Sequence, residues 1–167
     1  MTLQEAAAQA EQLWASGSAQ ELAQLRASWD EELESQARSQ DFRERAMAFR
    51  AIGMFRWRAK EELLRRGLDD TSPAARGSAL LSIELLSRDH PSTVNSVRPL
   101  LHKMLADADE NAAVRRLAVM ALKNGSAQRE TIVLLEGTAA DDETNADLAR
   151  AAASVAQDLK RKAREKH

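Results

Sequence analysis

Apolar residues recur along this chain at spacings of three and four, the period that places them on one face of an α-helix. The first such stripe consists of Leu3, Ala6, Ala7, Ala10, Leu13 and Trp14. A second stripe consists of Leu22, Leu25, Trp29 and Leu33. The runs T2-L-Q-E5 and S18-A-Q-E21 each match a capping box, in which a hydroxyl and a carboxylate satisfy first-turn amides. Residues 1–38 are therefore predicted to form an N-terminal helical hairpin.

The same period, with cap and proline signals, predicts about nine helices in all and no strand, so the fold class is all-α. After the hairpin, helices are expected at about 41–55, 58–68, 73–88, 97–106, 110–123, 127–138 and from 145 into a frayed basic tail at 161–167. Residues 55–58 are expected to break the third helix. Gly125 is expected in the left-handed conformation that closes the seventh helix.

Three segments repeat one pattern, an Arg followed by small and apolar residues. They are R-A-M-A-F-R-A-I from Arg45, R-G-S-A-L-L-S-I from Arg76 and R-R-L-A-V-M-A-L from Arg115. Their starts are 31 and 39 residues apart, a period typical of stacked helical modules. Because such modules bury their apolar faces against one another, residues 1–167 are predicted to form a single helical-repeat domain, with Leu117 in the shared core.

Two of these segments resemble HEAT-type repeats. They are L63-L-R-R-G-L-D-D-T-S-P-A-A-R-G-S-A-L-L-S-I and L100-L-H-K-M-L-A-D-A-D-E-N-A-A-V-R-R-L-A-V-M-A-L. Asp70 and Arg76, like Asp109 and Arg115, match the family pattern with a spacing of six residues. The resemblance implies a right-handed α-α superhelix, a short solenoid over residues 41–160, in which these side chains tie adjacent loops together. A last module with Ala149 at the Arg position departs from the pattern, as a terminal cap would.

The composition limits the chemistry that the chain can perform. It has no Cys, which excludes disulfides and Cys-based metal or nucleophilic chemistry. His90, His102 and His167 lack partners at ligand-like spacings, and His102 is expected to be a solvated surface residue. The pairs Asp69/Asp70 and Asp141/Asp142 lie in turns, where Asp usually caps a helix. No metal, cofactor or enzymatic activity is therefore expected. With no leader pattern and no long apolar run, a cytoplasmic location is expected.

Charge is distributed in blocks along the chain. Residues 1–37 carry one Arg against seven acids, whereas residues 38–66 carry nine bases against four acids. Within the basic block, the candidate partner-binding residues are Arg43, Arg50, Arg56, Trp57, Arg58 and Lys60. An exposed Trp flanked by Arg would make a binding hot spot, although a turn could equally bury Trp57. Trp14 and Trp29 lie on apolar stripes and are expected in the core.

Three functions are compatible with these patterns. The favoured one is a non-catalytic protein-binding module, a scaffold, adaptor or immunity-type inhibitor, whose partner carries an acidic patch. The second is nucleic-acid binding, similar to the HEAT-like DNA glycosylases, although the isoelectric point of about 6.0 argues against it. The third is an enzyme-associated subunit resembling the HEAT-like phycobilin lyases. The oligomeric state is left open.

Overall fold

The fold of this protein, described for residues 1–166 in a computed structural model, is all-α as the sequence predicts. Over those residues ten α-helices and one 3-10 turn follow one another without a β-strand. The helices are α1 (Leu3–Ala15), α2 (Ala19–Ala37), α3 (Phe42–Met54), α4 (Glu61–Gly67), α5 (Pro73–Ser87), α6 (Ser92–Asn95), α7 (Arg98–Ala106), α8 (Ala112–Leu122), α9 (Arg129–Ala140) and α10 (Ala146–Glu165). The 3-10 turn, Arg58–Lys60, lies between α3 and α4. The additional helix is the single turn α6, which the sequence predicts as loop.

The chain divides into two compact units, Met1–Leu86 and a second that begins at Ser87. Helices α1 to α4 and almost all of α5 belong to the first unit, and α6 to α10 belong to the second. The prediction of one repeat domain over residues 1–167 stays a prediction.

In the first unit, α1, α2 and α3 pack against one another. Alanines on the buried face of α1 allow the helices to approach closely, and larger side chains from α2 and α3 fill the space between them. Buried members of this core are Leu3, Ala6, Ala7, Ala10, Leu22, Leu33, Phe49 and Ile52. The capping box at Thr2 and Glu5 is confirmed. The one predicted at Ser18 is wrong, because the Ser18 hydroxyl pairs with the Ser16 hydroxyl at 2.8 Å and caps no helix amide.

The predicted break in the third helix is confirmed, since α3 ends at Met54 and α4 begins at Glu61. Helix α5 packs on α3 and α4 through one glycine on each, Gly53 and Gly67. A Cβ on Gly53 would lie 2.6 Å from Ser82 Oγ, and one on Gly67 would lie 2.9 Å from Ala79 Cβ. Both contacts therefore depend on the absence of a side chain at the glycine.

In the second unit, α8 and α10 pack together, and α9 contacts both α7 and α10. The core consists of Leu101, Leu105, Val114, Val119, Leu122, Leu135, Leu148, Val155 and Leu159. The left-handed conformation predicted for Gly125 is wrong, since Gly17 is the glycine with positive φ among the described residues. Gly125 is instead close to Asn95, whose Oδ1 would lie 2.9 Å from an added Cβ.

Two features concern the ends and the surface of the chain. Helix α10 continues to Glu165, through residues that the sequence predicts to fray. Over residues 1–166, no helix combines the length and the apolar composition needed to cross a bilayer.

Candidate functional site

The six predicted partner-binding residues of the basic block lie in very different surroundings. The side chain of Arg43 is 81% exposed and that of Arg58 is 46% exposed, whereas that of Lys60 is only 14% exposed. Trp57 is buried, which decides between the two alternatives that the sequence leaves open for it. Its ring contacts the ring of Phe55, with centroids 5.7 Å apart, and fills the space under the turn that follows α3. Arg50 is half-buried, and its Nη1 is buried without a hydrogen-bond partner.

Lys60 is committed to contacts inside the first unit. Its ammonium nitrogen lies 2.6 Å from Asp30 Oδ1 and 2.7 Å from Glu34 Oε1, both on α2, and 5.0 Å from the centre of the Trp57 ring. Burial lowers the pKa of Lys60, but the hydrogen bonds to Asp30 and Glu34 outweigh burial and the pKa is raised. The acidic N-terminal segment thus neutralises part of the basic block within the chain itself.

The turn at residues 55–57 closes α3 in a Schellman motif. The Trp57 N–H donates to Ile52 O, and the Arg56 N–H donates to Gly53 O. This motif needs a left-handed residue, normally Gly, but the residue here is Arg56, with a φ of 52°. Arg56 is the one non-glycine residue with positive φ among residues 1–166. An Arg in this conformation costs roughly 1–2 kcal/mol relative to the right-handed one.

Arg26 on α2 donates two hydrogen bonds to the backbone of this turn. Its Nε donates to Phe55 O and its Nη2 to Arg56 O, both at 2.9 Å. Burial lowers the pKa of Arg26 from its ordinary value. The two carbonyls at the end of α3 are thereby satisfied by a cation, which fixes the position of the Arg56 backbone.

The Arg56 side chain lies against α1. Its Nη1 donates to Gly53 O at 2.9 Å and lies 3.8 Å from Glu11 Oε1, and its guanidinium carbon lies 5.3 Å from the centre of the Trp14 ring. Trp14 is 45% exposed, so its predicted place in the core is wrong, and Trp29 is only half-buried. Trp14 lies at the end of the apolar stripe of α1, one residue before the helix ends.

Trp14 and Glu11 are the site residues that the sequence analysis missed. The signal available for Trp14 was its position in the last turn of α1, immediately before a predicted helix end, where fewer neighbours can cover a large ring. We refer to Trp14, Arg56 and Glu11 together as the Trp14 surface. It presents an indole ring that is held by a guanidinium and remains open to solvent.

The repeat positions behave differently in the two units. Asp70 accepts from Arg45 Nε at 2.8 Å and from Arg45 Nη2 at 2.9 Å, which joins the loop before α5 to the start of α3. Arg45 also donates to Ser39 O, and Arg76 donates to Asp70 O, each across six residues. In the second unit, Arg115 donates to Leu105 O at 2.7 Å, whereas Asp109 is exposed. Within the first unit, Arg45 thus joins the segment before α3 to the loop before α5.

The Asp70 pair should make the stability of the first unit depend on pH. The hydrogen bond from Arg45 holds the pKa of Asp70 below its ordinary value, with burial acting against it. A carboxylate with a depressed pKa stabilises the fold above its unfolded pKa of about 4, and this contribution is lost as pH falls. We therefore expect Asp70→Asn to lower the melting temperature by several degrees at neutral pH, and the difference to vanish at strongly acidic pH. Melting curves followed by circular dichroism across this range would show it, with the exposed Asp69→Asn as the control.

The remaining titratable candidates lie in different surroundings. The prediction that His102 is a solvated surface residue is wrong. Its side chain is only 13% exposed, and its Nε2 lies 2.8 Å from Thr131 Oγ1. Burial lowers the pKa of His102, with the Glu130 carboxylate acting against it. His90 and Asp69 are exposed, Asp141 accepts from the Glu143 N–H in its turn, and His167 lies outside the described residues. Over residues 1–166, no group of His, Asp and Glu is arranged to hold a metal ion.

Comparison of this sequence with protein-family models and with curated proteins finds no match. The HEAT resemblance of the two repeat segments therefore stays a prediction, and the functional argument depends on the geometry of the surfaces described here.

Proposed function

We propose that this chain is a HEAT-type helical-repeat protein that binds another protein without catalysing a reaction on it, through the Trp14 surface. The observation that carries the proposal is the exposed indole of Trp14, stacked against an Arg whose backbone is held in the left-handed region. Trp and Arg are the residue types most enriched where interface binding energy is concentrated.

Preorganisation strengthens this interpretation. The Arg56 guanidinium is already ordered by Gly53 O and by Trp14, and its backbone is held by Arg26. A partner that covers the ring therefore loses little side-chain entropy on this side of the interface. A glycine at position 56 would close α3 at lower conformational cost but could not hold the ring.

The exposed cations of the basic block favour a partner with an acidic patch. Lys60 is paired with α2 and mostly buried, whereas Arg43 and Arg58 lie 3.8 Å and 3.4 Å from Asp41 and Glu61 at the surface. Among the cations of the block, Arg43, Arg58, Arg65 and Arg66 are exposed. These side chains would attract carboxylates on a partner and accelerate its approach, with a dependence on salt concentration.

The repeat part of the proposal is supported by the loop contacts. Arg45 and Arg76, at the same position of two repeated segments, each donate to a backbone carbonyl six residues earlier. Asp70 then joins one segment to the other through Arg45. Equivalent contacts at equivalent sequence positions are expected of stacked modules.

Replacing Trp14 with Ala should weaken capture of the native partner by about 10- to 30-fold, the effect of a strong hot spot. The measurement is quantitative mass spectrometry of proteins retained from the native host by tagged wild type and by the variant. Phe42→Ala is the matched control, because Phe42 is 43% exposed and its ring also lies under an Arg, Arg43 at 5.6 Å. Its retention should equal that of wild type.

The two variants separate a specific site from general surface hydrophobicity. Equal losses for Trp14→Ala and Phe42→Ala would show that the captured proteins respond to any exposed ring. Unchanged capture by Trp14→Ala, in a protein with wild-type melting, would remove the Trp14 surface from consideration.

A further inference from the structure

A groove in the second unit, between α8 and α10, is independent of the Trp14 surface. The cavity has a volume of about 600 Å³. Met120 on α8 and Ala151, Ser154 and Val155 on α10 line its centre. The small residues on α10 leave room above the contact between the two helices, and Met120 is a flexible side chain that adapts to different apolar groups.

The charged residues around this groove are almost all paired with one another. Arg150 pairs with Asp147, and Lys123 lies 3.8 Å from Asp158. Arg116 also lines the groove, and it has no ion pair or side-chain hydrogen bond with any described residue. Among residues 1–166, Arg116 is therefore the lining cation without a partner, and it lies beside Met120 and Ala151.

We propose that this groove binds an acidic peptide segment of a partner protein. An apolar side chain of the segment would lie against Met120 and Ala151, and a neighbouring carboxylate would pair with Arg116. The three cations and two carboxylates among the lining residues leave a net charge of +1, which favours an anionic occupant over a cationic one. A guanidinium can bind a carboxylate through two parallel hydrogen bonds, so Arg116 would also fix the orientation of the segment.

The test uses the full-length chain, isotope-labelled for NMR, with two synthetic probes that contain the same leucines and carry either Glu or Lys at every polar position. The Leu/Glu peptide is expected to shift the amide signals of residues that line the groove, including Met120 and Ala151, and the Leu/Lys peptide is expected to leave them unchanged. Equal shifts from the two peptides, or shifts confined to the first unit, would overturn the proposal.

The role of Arg116 is tested by charge reversal. Arg116→Glu should weaken binding of the Leu/Glu peptide by about 10- to 100-fold, the loss expected for a charge-assisted hydrogen-bonded pair replaced by repulsion. Arg116→Lys should retain part of the affinity, since the charge remains. Ser154→Phe fills the groove from the exposed side of α10 and provides a second variant, expected to abolish binding even where Arg116→Glu is poorly folded.

Other outcomes also decide the question. Affinity of Arg116→Glu equal to wild type would contradict the proposal, as would displacement of the Leu/Glu peptide by a short single-stranded oligonucleotide, which would show that the groove binds phosphate. Trp14→Ala should bind the Leu/Glu peptide as wild type does, so the groove and the Trp14 surface can fail separately.

Discussion

Replacing Val119 with Asp is expected to unfold the second unit. Val119 is 0% exposed in the middle of α8, where Val114, Ala118 and Leu122 are also buried. Lys123 is paired with Asp158 and Arg115 donates to Leu105 O, so the carboxylate introduced at position 119 would be an unpaired charge in an apolar core. Such a charge costs more than about 4 kcal/mol, a large part of the stability of a small domain. Circular dichroism at neutral pH should show a large loss of helix and no cooperative melting of the remainder at the wild-type temperature.

Leu117→Asp in the same helix is the matched control for Val119→Asp. The pattern of the segment from Arg115 predicts Leu117 in the core, but the residue is only half-buried. An Asp at this position can keep part of its hydration, so the variant should remain folded and lose roughly 1–2 kcal/mol. A Val119→Asp protein with wild-type helix content would show that α8 is not packed as described. Complete unfolding by Leu117→Asp would instead support the original core assignment.

The difference between Val119 and Leu117 shows how much the hydrophobic periodicity can predict about burial. In α8 the buried stripe consists of Val114, Ala118 and Leu122, apolar residues four apart that lie on one side of the helix. Leu117 is at the edge of that stripe and is only half-buried. An apolar residue at the edge of a stripe therefore supports the prediction of a helix but does not show that the residue itself is buried.

Helix ends were predictable where a single local side chain determines them. Asp41, Asn111 and Asn145 each accept first-turn amides, and Thr2 with Glu5 forms the predicted box. At the end of α3 the break at residues 55–58 was predicted from the need for a second helix. A left-handed Arg at position 56 was not predictable, because the contacts that stabilise it come from Arg26 and Trp14, which are far away in the sequence.

The candidate site could not be predicted either, because it also depends on contacts between residues far apart in the sequence. A Trp between two arginines at position 57 resembles a hot spot locally, yet the turn folds it inward, and Lys60 reaches Asp30 across 30 residues. Trp14, at the end of an apolar stripe, is instead exposed. The exposure of a large ring depends on what packs over it, which for Trp57 includes Phe55 and Lys60.

Replacing Gly53 with Ala should destabilise the first unit by about 2 to 3 kcal/mol, even though Ala is the better helix former by nearly 1 kcal/mol. The new methyl would lie 2.6 Å from Ser82 Oγ and 2.8 Å from Ser82 Cα, so the α5 backbone has to move. That movement also breaks a polar contact, because Ser82 Oγ accepts from the Gly53 N–H at 3.0 Å and donates to Phe49 O at 2.5 Å. Urea unfolding followed by circular dichroism would measure the loss.

Gly137→Ala provides the control with the opposite sign. Gly137 lies inside α9 and is exposed, and a Cβ there would meet nothing within 4 Å. The substitution should therefore stabilise the protein by about 0.5 to 1 kcal/mol, the ordinary gain of Ala over Gly in a helix. If Gly53→Ala were also stabilising, α5 could not approach α3 as closely as described. Ser82→Ala separates the two causes, because it removes the buried hydroxyl contacts while leaving room for the packing of α5.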